Sequence, residues 1–513
     1  MRSSPRSVVS GGPASLMLGL GLLAAAAYAV LWAFDLGTTG WFPHRLWSSP
    51  GAGEALGNMA EVTVGVLGVA LTVVSIIVEL AANRYTPRIT EEFITDRVNG
   101  LSLGGFVLAA LLVVWIDLSL PADGAPPMPW MTLAGAVVLS VSLLGLLPYF
   151  AYVFDFLSPH RLVERNGDAA RAALASAART GDLGHDALLH AVDQLGDIAV
   201  RSIQNQDKSI AIAAIDELSS LLHAAAVHKP QLPAGWFDAT PALVADPDFA
   251  AFHRGVLDDL IPTRTWLEMK VLLQLHAAWR EAQRGPREVA HLVAIQVRRA
   301  GSHVAAAGDV DALQLCVRFL NTFLRAAINS GDVRSAYNLL NEYRELATRL
   351  LDGPLTRFVP QLAEHLKSYG QLGFRARLAF ILETVAYDLC TLLEAAFLQA
   401  SPHHDALLRT FLDVDREPEG AAVQESALRG VRKAQVKLAT FYLVHGRDDL
   451  ARQIWQDMVR EPPARLQSIR EELERTTERV YQEVTDRGTN FDWLDPDRRA
   501  QLGRFFGWFA EPA

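Results

Sequence analysis

Four long apolar runs open the chain, at about residues 14–34, 59–82, 101–120 and 130–154. Each is close to the ~20 residues that a helix needs to cross hydrocarbon. After Arg165 the pattern changes, and apolar positions recur every three or four residues, as in Leu218, Leu221, Leu222 and Ala225 or Leu339, Leu340, Tyr343 and Leu346. That spacing predicts amphipathic helices packed on one another, and no pair of alternating strands interrupts it. The expected fold class is therefore all-α. A four-helix transmembrane domain over residues 1–165 precedes a cytosolic, solenoid-like α-helical domain. Within the latter, 166–228 reads as a helical segment after the membrane and 229–248 as a Pro-rich loop. In that loop Pro230, Pro233, Gly235, Pro241 and Pro247 surround Trp236 and Phe237. Residues 249–480 read as a helical repeat-like domain. Residues 481–513 read as a C-terminal helix, in which Leu502, Phe505, Phe506, Trp508 and Phe509 alternate with Arg498, Arg499 and Arg504. It either caps the helical stack or lies on a membrane surface.

The second apolar run carries the most informative polar pattern. Glu61, Gly65, Gly68, Thr72, Ser75 and Glu79 fall on one narrow face at 100° per residue, with Val, Leu and Ile around the rest. Acidic side chains in a membrane helix are costly, so such a face is expected to meet water or other helices rather than lipid. Two further acids, Asp117 in the third run and Asp155 at the end of the fourth, give two acidic levels: Glu61 with Asp117, and Glu79 with Asp155.

Basic residues set the expected orientation. Arg2 and Arg6 precede the first run, Arg84, Arg88 and Arg97 lie between the second and third, and Arg161 and Arg165 follow the fourth. The opposite connections carry Arg45 alone, so both chain ends are expected in the cytoplasm. The first run extends through Val30, Leu31, Trp32 and Phe34, longer than a signal-peptide core, and reads as an uncleaved anchor.

Composition changes little in this picture. The net charge of −10 and the lack of any Lys/Arg-rich run argue against a nucleic-acid surface. Arg far outnumbers Lys, and no Lys occurs before Lys208. Cys316 and Cys390 have no CxxC spacing and read as small core residues. The sequence holds no phosphate loop, no GxGxxG after a strand, no HExxH and no GxSxG elbow between a strand and a helix. His403 and His404 beside Asp405 read as a solvated helix start. No catalytic, metal or cofactor residues are expected, and no enzyme.

Near the C-terminus, Leu438, Ala439, Tyr442, Gly446, Ala451, Trp455 and Pro463 stand close to the offsets of a tetratricopeptide repeat, which the segment resembles. Gly-Asp turns recur at Gly181-Asp182, Gly308-Asp309 and Gly331-Asp332. Helix pairs of this kind are expected to stack into a short solenoid, whose faces commonly bind other proteins. An irregular helical bundle is the alternative.

The stretch from Val78 through Asn83, Arg84, Tyr85, Thr86, Pro87 and Arg88, followed by Phe93-Ile94-Thr95-Asp96-Arg97-Val98-Asn99, resembles the signature of a bacterial family of predicted membrane proteins. That family is catalogued as domain of unknown function number two thousand two hundred and fifty-four. A second echo lies at Leu195 to Ile203. The resemblance covers roughly the first half of the chain and implies a topology, with Arg84, Tyr85, Pro87 and Arg88 ending one span and Asp96, Arg97 and Asn99 forming the turn before the next. It implies no activity. One departure is that residues Arg165 to Ala191 read as helix, where the family carries strand-like sequence.

Two functional expectations follow. In the first, a homo-oligomer surrounds the second span, so that Glu61 and Glu79 form charged rings of a channel or transport-like pore regulated by the cytosolic domain. In the second, the protein is a membrane-tethered scaffold that recruits a cytosolic protein partner. There the stripe only packs helices: its glycines allow close approach, Thr72 and Ser75 bond across the contact, and Glu79 pairs with Arg84 or Arg88. The bilayer and further copies of the chain are the expected partners, and nucleic acid is not.

Overall fold

The computed structural model describes residues 13–37, 52–87, 89–119, 129–181, 184–251, 255–415, 425–480, 486–488 and 490–510. They are helical almost throughout, with no strand among the described residues. The chain forms two compact units, Met1–Leu162 and Val163–Ala513.

The first unit holds α1 (Pro13–Gly37), α2 (Ala52–Arg84), the short α3 (Ile89–Thr95), α4 (Arg97–Ser119) and α5 (Pro129–Phe156). Its α2, α4 and α5 are long and apolar enough to cross a membrane, and α1 contributes an apolar stretch at Leu22–Phe34. Leu71, Leu101, Leu118, Leu144 and Leu147 point outward and are exposed. A lipid solvent allows this, because hydrocarbon imposes no penalty on an apolar surface. Inside, Ile116 and Met131 form a core that Tyr28 and Leu31 of α1 pack against. Tyr28 meets Trp115 edge to face, with ring centroids 6.2 Å apart.

The second unit contains α6 (Pro159–Thr180), α7 (His185–Gln204), α8 (Lys208–His228), the short α9 (Pro241–Ala245), α10 (Pro247–Ala250) and α11 (Val256–Leu260), then α12 (Trp266–Ala282) and α13 (Arg287–Ala306). It continues with α14 (Val310–Asn329), α15 (Val333–Leu350), α16 (Val359–Arg375), α17 (Ala379–Leu398), α18 (His404–Leu412), α19 (Glu425–Val444), α20 (Asp448–Met458), α21 (Pro463–Arg475), α22 (Pro496–Ala500) and α23 (Leu502–Gly507). Helices α8, α13, α15, α17 and α19 lie side by side in one layer, and α7, α12, α14, α16 and α18 back them in another. Helix α8 is as long and apolar as a span, yet 56% of its apolar window is buried, against 17–33% for α2, α4 and α5. Its apolar surface is covered by α7, α12 and α13, which makes it a core helix.

Two of the Gly-Asp turns have a common cause, while Asp182 of the third lies outside the described residues. Gly308 and Gly331 adopt positive φ (75° and 72°), where a side chain would be strained, and so end α13 and α14. The next residue starts the following helix: the Asp309 carboxylate accepts from the Ala312 amide at 3.0 Å, and Asp332 accepts from Ser335 at 3.2 Å. Each two-residue turn thus closes one helix and caps the next. Between α16 and α17 the contact is close enough that a Cβ on Gly373 would lie 2.6 Å from the Ile381 side chain.

The Pro-rich loop folds into short helical turns. Trp236 and Phe237, at 1% and 3% exposure, plug the core. Trp236 packs against Trp266 at 4.6 Å, and its carbonyl is bonded to His185 at 2.9 Å. His404, expected in a solvated helix start, is instead half-buried and bonded to the Tyr442 hydroxyl at 2.8 Å.

Candidate functional site

All six residues of the α2 stripe, Glu61, Gly65, Gly68, Thr72, Ser75 and Glu79, are exposed in the single chain. Thr63, Ala70 and Val74 are buried, roughly half a turn away around the helix. The stripe therefore faces away from α4 and α5, and nothing lies within 4 Å of a Cβ built on Gly65 or Gly68. Thr72 donates to the carbonyl of Gly68 and Ser75 to that of Leu71, both at 2.8 Å. These hydroxyls are satisfied within their own helix rather than across a contact. Beside the stripe, Gly65, Val66, Val69, Ala70 and Val73 form an apolar groove of about 270 Å³ with Leu146 and Phe150 of α5.

The other two acids are held differently. The Asp117 carboxylate turns towards α2, 3.2 Å from where a Cβ on Gly57 would stand, one turn before Glu61. Asp155 lies 3.4 Å from Arg161 in an exposed ion pair.

The motif between α2 and α4 builds a buried joint. Tyr85 and Thr86 are buried at the end of α2, and the Arg84 guanidinium lies 5.4 Å from the Tyr85 ring centre. Pro87 is exposed, and Arg88 lies outside the described residues. Asp96 caps α4 by accepting from the Asn99 amide at 2.9 Å, and it also accepts from the Tyr152 hydroxyl. Asn99, 3% exposed, donates to the carbonyl of Phe93 at 2.8 Å and accepts from the Tyr149 hydroxyl at 2.9 Å. Arg97 and Asn99 thus sit in the first turn of α4, not in a turn before it. The partners Tyr149 and Tyr152, some fifty residues later, were not visible in the sequence, where they look like ordinary interfacial aromatics.

In the second unit, Leu438, Ala439, Tyr442 and Ala451 are fully buried where α19 and α20 meet, and Gly446 turns between them at φ 70°. Trp455 contacts Phe509 at 6.2 Å, and Pro463 opens α21. Phe505, Phe506 and Trp508 are buried.

Sequence reasoning missed a set of buried cations. Lys270, with no side-chain exposure, lies 2.6 Å from Asp193, 2.7 Å from Asp246 and 2.6 Å from Asp248. Burial pulls its ammonium down, but the three carboxylates outweigh this and hold its pKa above the ordinary value. Lys229 bridges Glu268 and Asp309 at 2.8 and 2.6 Å, and Lys433 reaches Asp492 at 2.8 Å. Burial drives the Lys437 ammonium below its ordinary value. Both cysteines are free and buried, and burial pushes the Cys316 thiol up to about 12. A signal did exist. In a chain that otherwise uses Arg, lysine occurs at six positions only, and Lys229, Lys270 and Lys433 are ion-pair centres, the last two of them buried.

An outward polar stripe on one of several apolar helices, joined by a buried polar corner, defines a polytopic membrane unit. Residues 13–189 match the model of a family described as Predicted membrane protein (DUF2254), so the resemblance carried by the Arg84 to Asn99 motif holds over that segment. The tetratricopeptide resemblance of the C-terminal part is not confirmed. No curated protein matches the chain. A solved circular tandem repeat protein, described as having novel repeat topology and enhanced subunit contact surfaces, aligns over 97% of this chain and 95% of its own at 14% identity. The TM-score of that alignment is 0.32.

Proposed function

We propose that this is a non-enzymatic, polytopic bacterial inner-membrane protein that forms a homo-oligomer through the α2 stripe, with both chain ends and the helical second unit in the cytoplasm. The oligomer encloses a narrow path for cations, regulated by that helical unit. The observation that carries this reading is the exposure of all six stripe residues in the single chain. Acids at both ends of one helical face are poorly suited to lipid, and a facing copy or a water path relieves that cost. Because Thr72 and Ser75 are bonded within their own helix, the middle of the path is only weakly polar.

Ion flux in reconstituted vesicles tests it. Glu61→Gln and Glu79→Gln preserve assembly and weaken cation preference, since the amide matches the acid in size but not in charge. Absence of flux from the parent under all voltages tested contradicts the path.

A second reading, a membrane-tethered scaffold that recruits a protein partner, draws on a different observation. The α15–α17–α19 layer already holds a non-helical segment of its own chain, described at residues 486–488 and 490–494.

A further inference from the structure

After α21 the chain returns as a non-helical strap across the layer of α15, α17 and α19. Its described residues, 486–488 and 490–494, are held the way a peptide ligand is held. Two strap carbonyls, those of Phe491 and Trp493, accept from the Lys437 ammonium at 3.1 and 3.2 Å. The Asp492 carboxylate accepts from Lys433 at 2.8 Å and from the Tyr387 hydroxyl at 2.7 Å. The Phe491 ring stacks on Tyr387, with centroids 4.6 Å apart and planes 15° from parallel, and its edge meets Tyr337. At the far end Asp486 takes a two-pronged contact from Arg334 at 2.9 and 2.8 Å and a third bond from Asn338 at 3.0 Å. Arg487 pairs with Asp388 at 2.7 Å and lies over the Tyr337 ring at 4.0 Å.

These contacts combine backbone carbonyls, a central acid and an aromatic anchor, and they come from three successive helices of one layer. Phe491, Asp492 and Trp493 remain half-buried and lie on the layer, while Leu494 at the end of the strap is buried in the core. Asp486 also borders a small cleft of about 100 Å³ between α13 and α15, lined among others by Arg287, Glu288 and His291 of α13 and Ser335 of α15.

We propose that this layer is a recognition face for a peptide that presents an acidic residue next to an aromatic one in a turn, as Phe491 and Asp492 are presented here, and that the strap is a built-in competitor which such a partner displaces. The inference rests on the recruiting reading for the partner that displaces the strap, but not for the latch itself. Because the strap is tethered, its effective concentration is ~mM, so a free peptide binds the parent weakly.

The test uses the full chain in detergent and a synthetic peptide of residues 486–495. Hydrogen exchange of the parent comes first, with residues 486–494 expected to exchange at least tenfold faster than the α17 and α19 amides that they cover. Exchange only at the rate of those helices overturns the latch, and recruitment would then have to use another surface. Fluorescence anisotropy of the labelled peptide comes second. It should bind Phe491→Ala/Asp492→Ala protein at least tenfold more tightly than the parent, and a peptide with both residues replaced by Ala should not bind. A freely exchanging strap combined with no peptide binding to the variant overturns the recognition face and, with it, recruitment by this layer. If the double variant fails to fold, Asp486→Asn protein replaces it under the same criteria.

Discussion

The Tyr149 hydroxyl of α5 donates to the side-chain oxygen of Asn99 at the start of α4, 2.9 Å away and buried from solvent. Through its amide nitrogen the same Asn99 reaches the carbonyl of Phe93 in α3. One side chain thus fastens three helices at one end of the first unit. Tyr149→Phe leaves an acceptor without its donor and should lower stability by ~1–2 kcal/mol. Asn99→Ala strands groups on two helices and should lower it more. Thermal unfolding in detergent checks the order, and equal melting temperatures for parent and both variants contradict it.

Lys270 is the most exacting node of the second unit. Lys270→Met leaves Asp193, Asp246 and Asp248 facing one another without a cation, and Asp246 is itself buried. Breaking a buried charge cluster on one side costs ~3–5 kcal/mol. Denaturant unfolding should show that loss, partly recovered by adding Asp246→Asn and Asp248→Asn. A variant as stable as the parent means that the cluster does not hold the loop to α7 and α12.

The Arg334 guanidinium holds the Asp486 carboxyl down at about 2. A carboxyl in an unfolded chain titrates near ~3.9. Its contribution is therefore full above that value and is lost as pH falls from about 4 through about 2. Pepsin cleavage at Phe491 and Trp493 should rise across this window while helicity is retained. Asp486→Asn protein should already be cleaved readily at pH 4, and identical profiles for parent and variant argue against the anchor.

Much of the fold was legible because it depends on period. The four apolar runs and the three- and four-residue spacing after Arg165 both became helices, and the Gly-Asp pairs at 308–309 and 331–332 became turns. What stayed hidden depends on contacts between distant positions. Nothing local to Asn99 names Tyr149 fifty residues on, and nothing local to Lys270 names Asp193. Residues 481–513 read as one C-terminal helix, whereas the described residues 486–488 and 490–494 are non-helical and are held by partners on α17 and α19 that lie far away in the sequence. The stripe on α2 was visible as a pattern, but its outward direction required the packing of α4 and α5.

Cysteine cross-linking along α2 in native membranes addresses the assembly face most directly. Cys316 and Cys390 are both buried, so background from native thiols is low. Single substitutions at Gly65, Gly68, Thr72 and Ser75 should give oxidant-dependent dimers, whereas Ala70→Cys and Val74→Cys, on the packed side of the helix, should not. Cross-links confined to the first set show that α2 meets α2 of another copy through the stripe. Their absence from all four, or equal yields from both sets, contradicts the oligomer built on it.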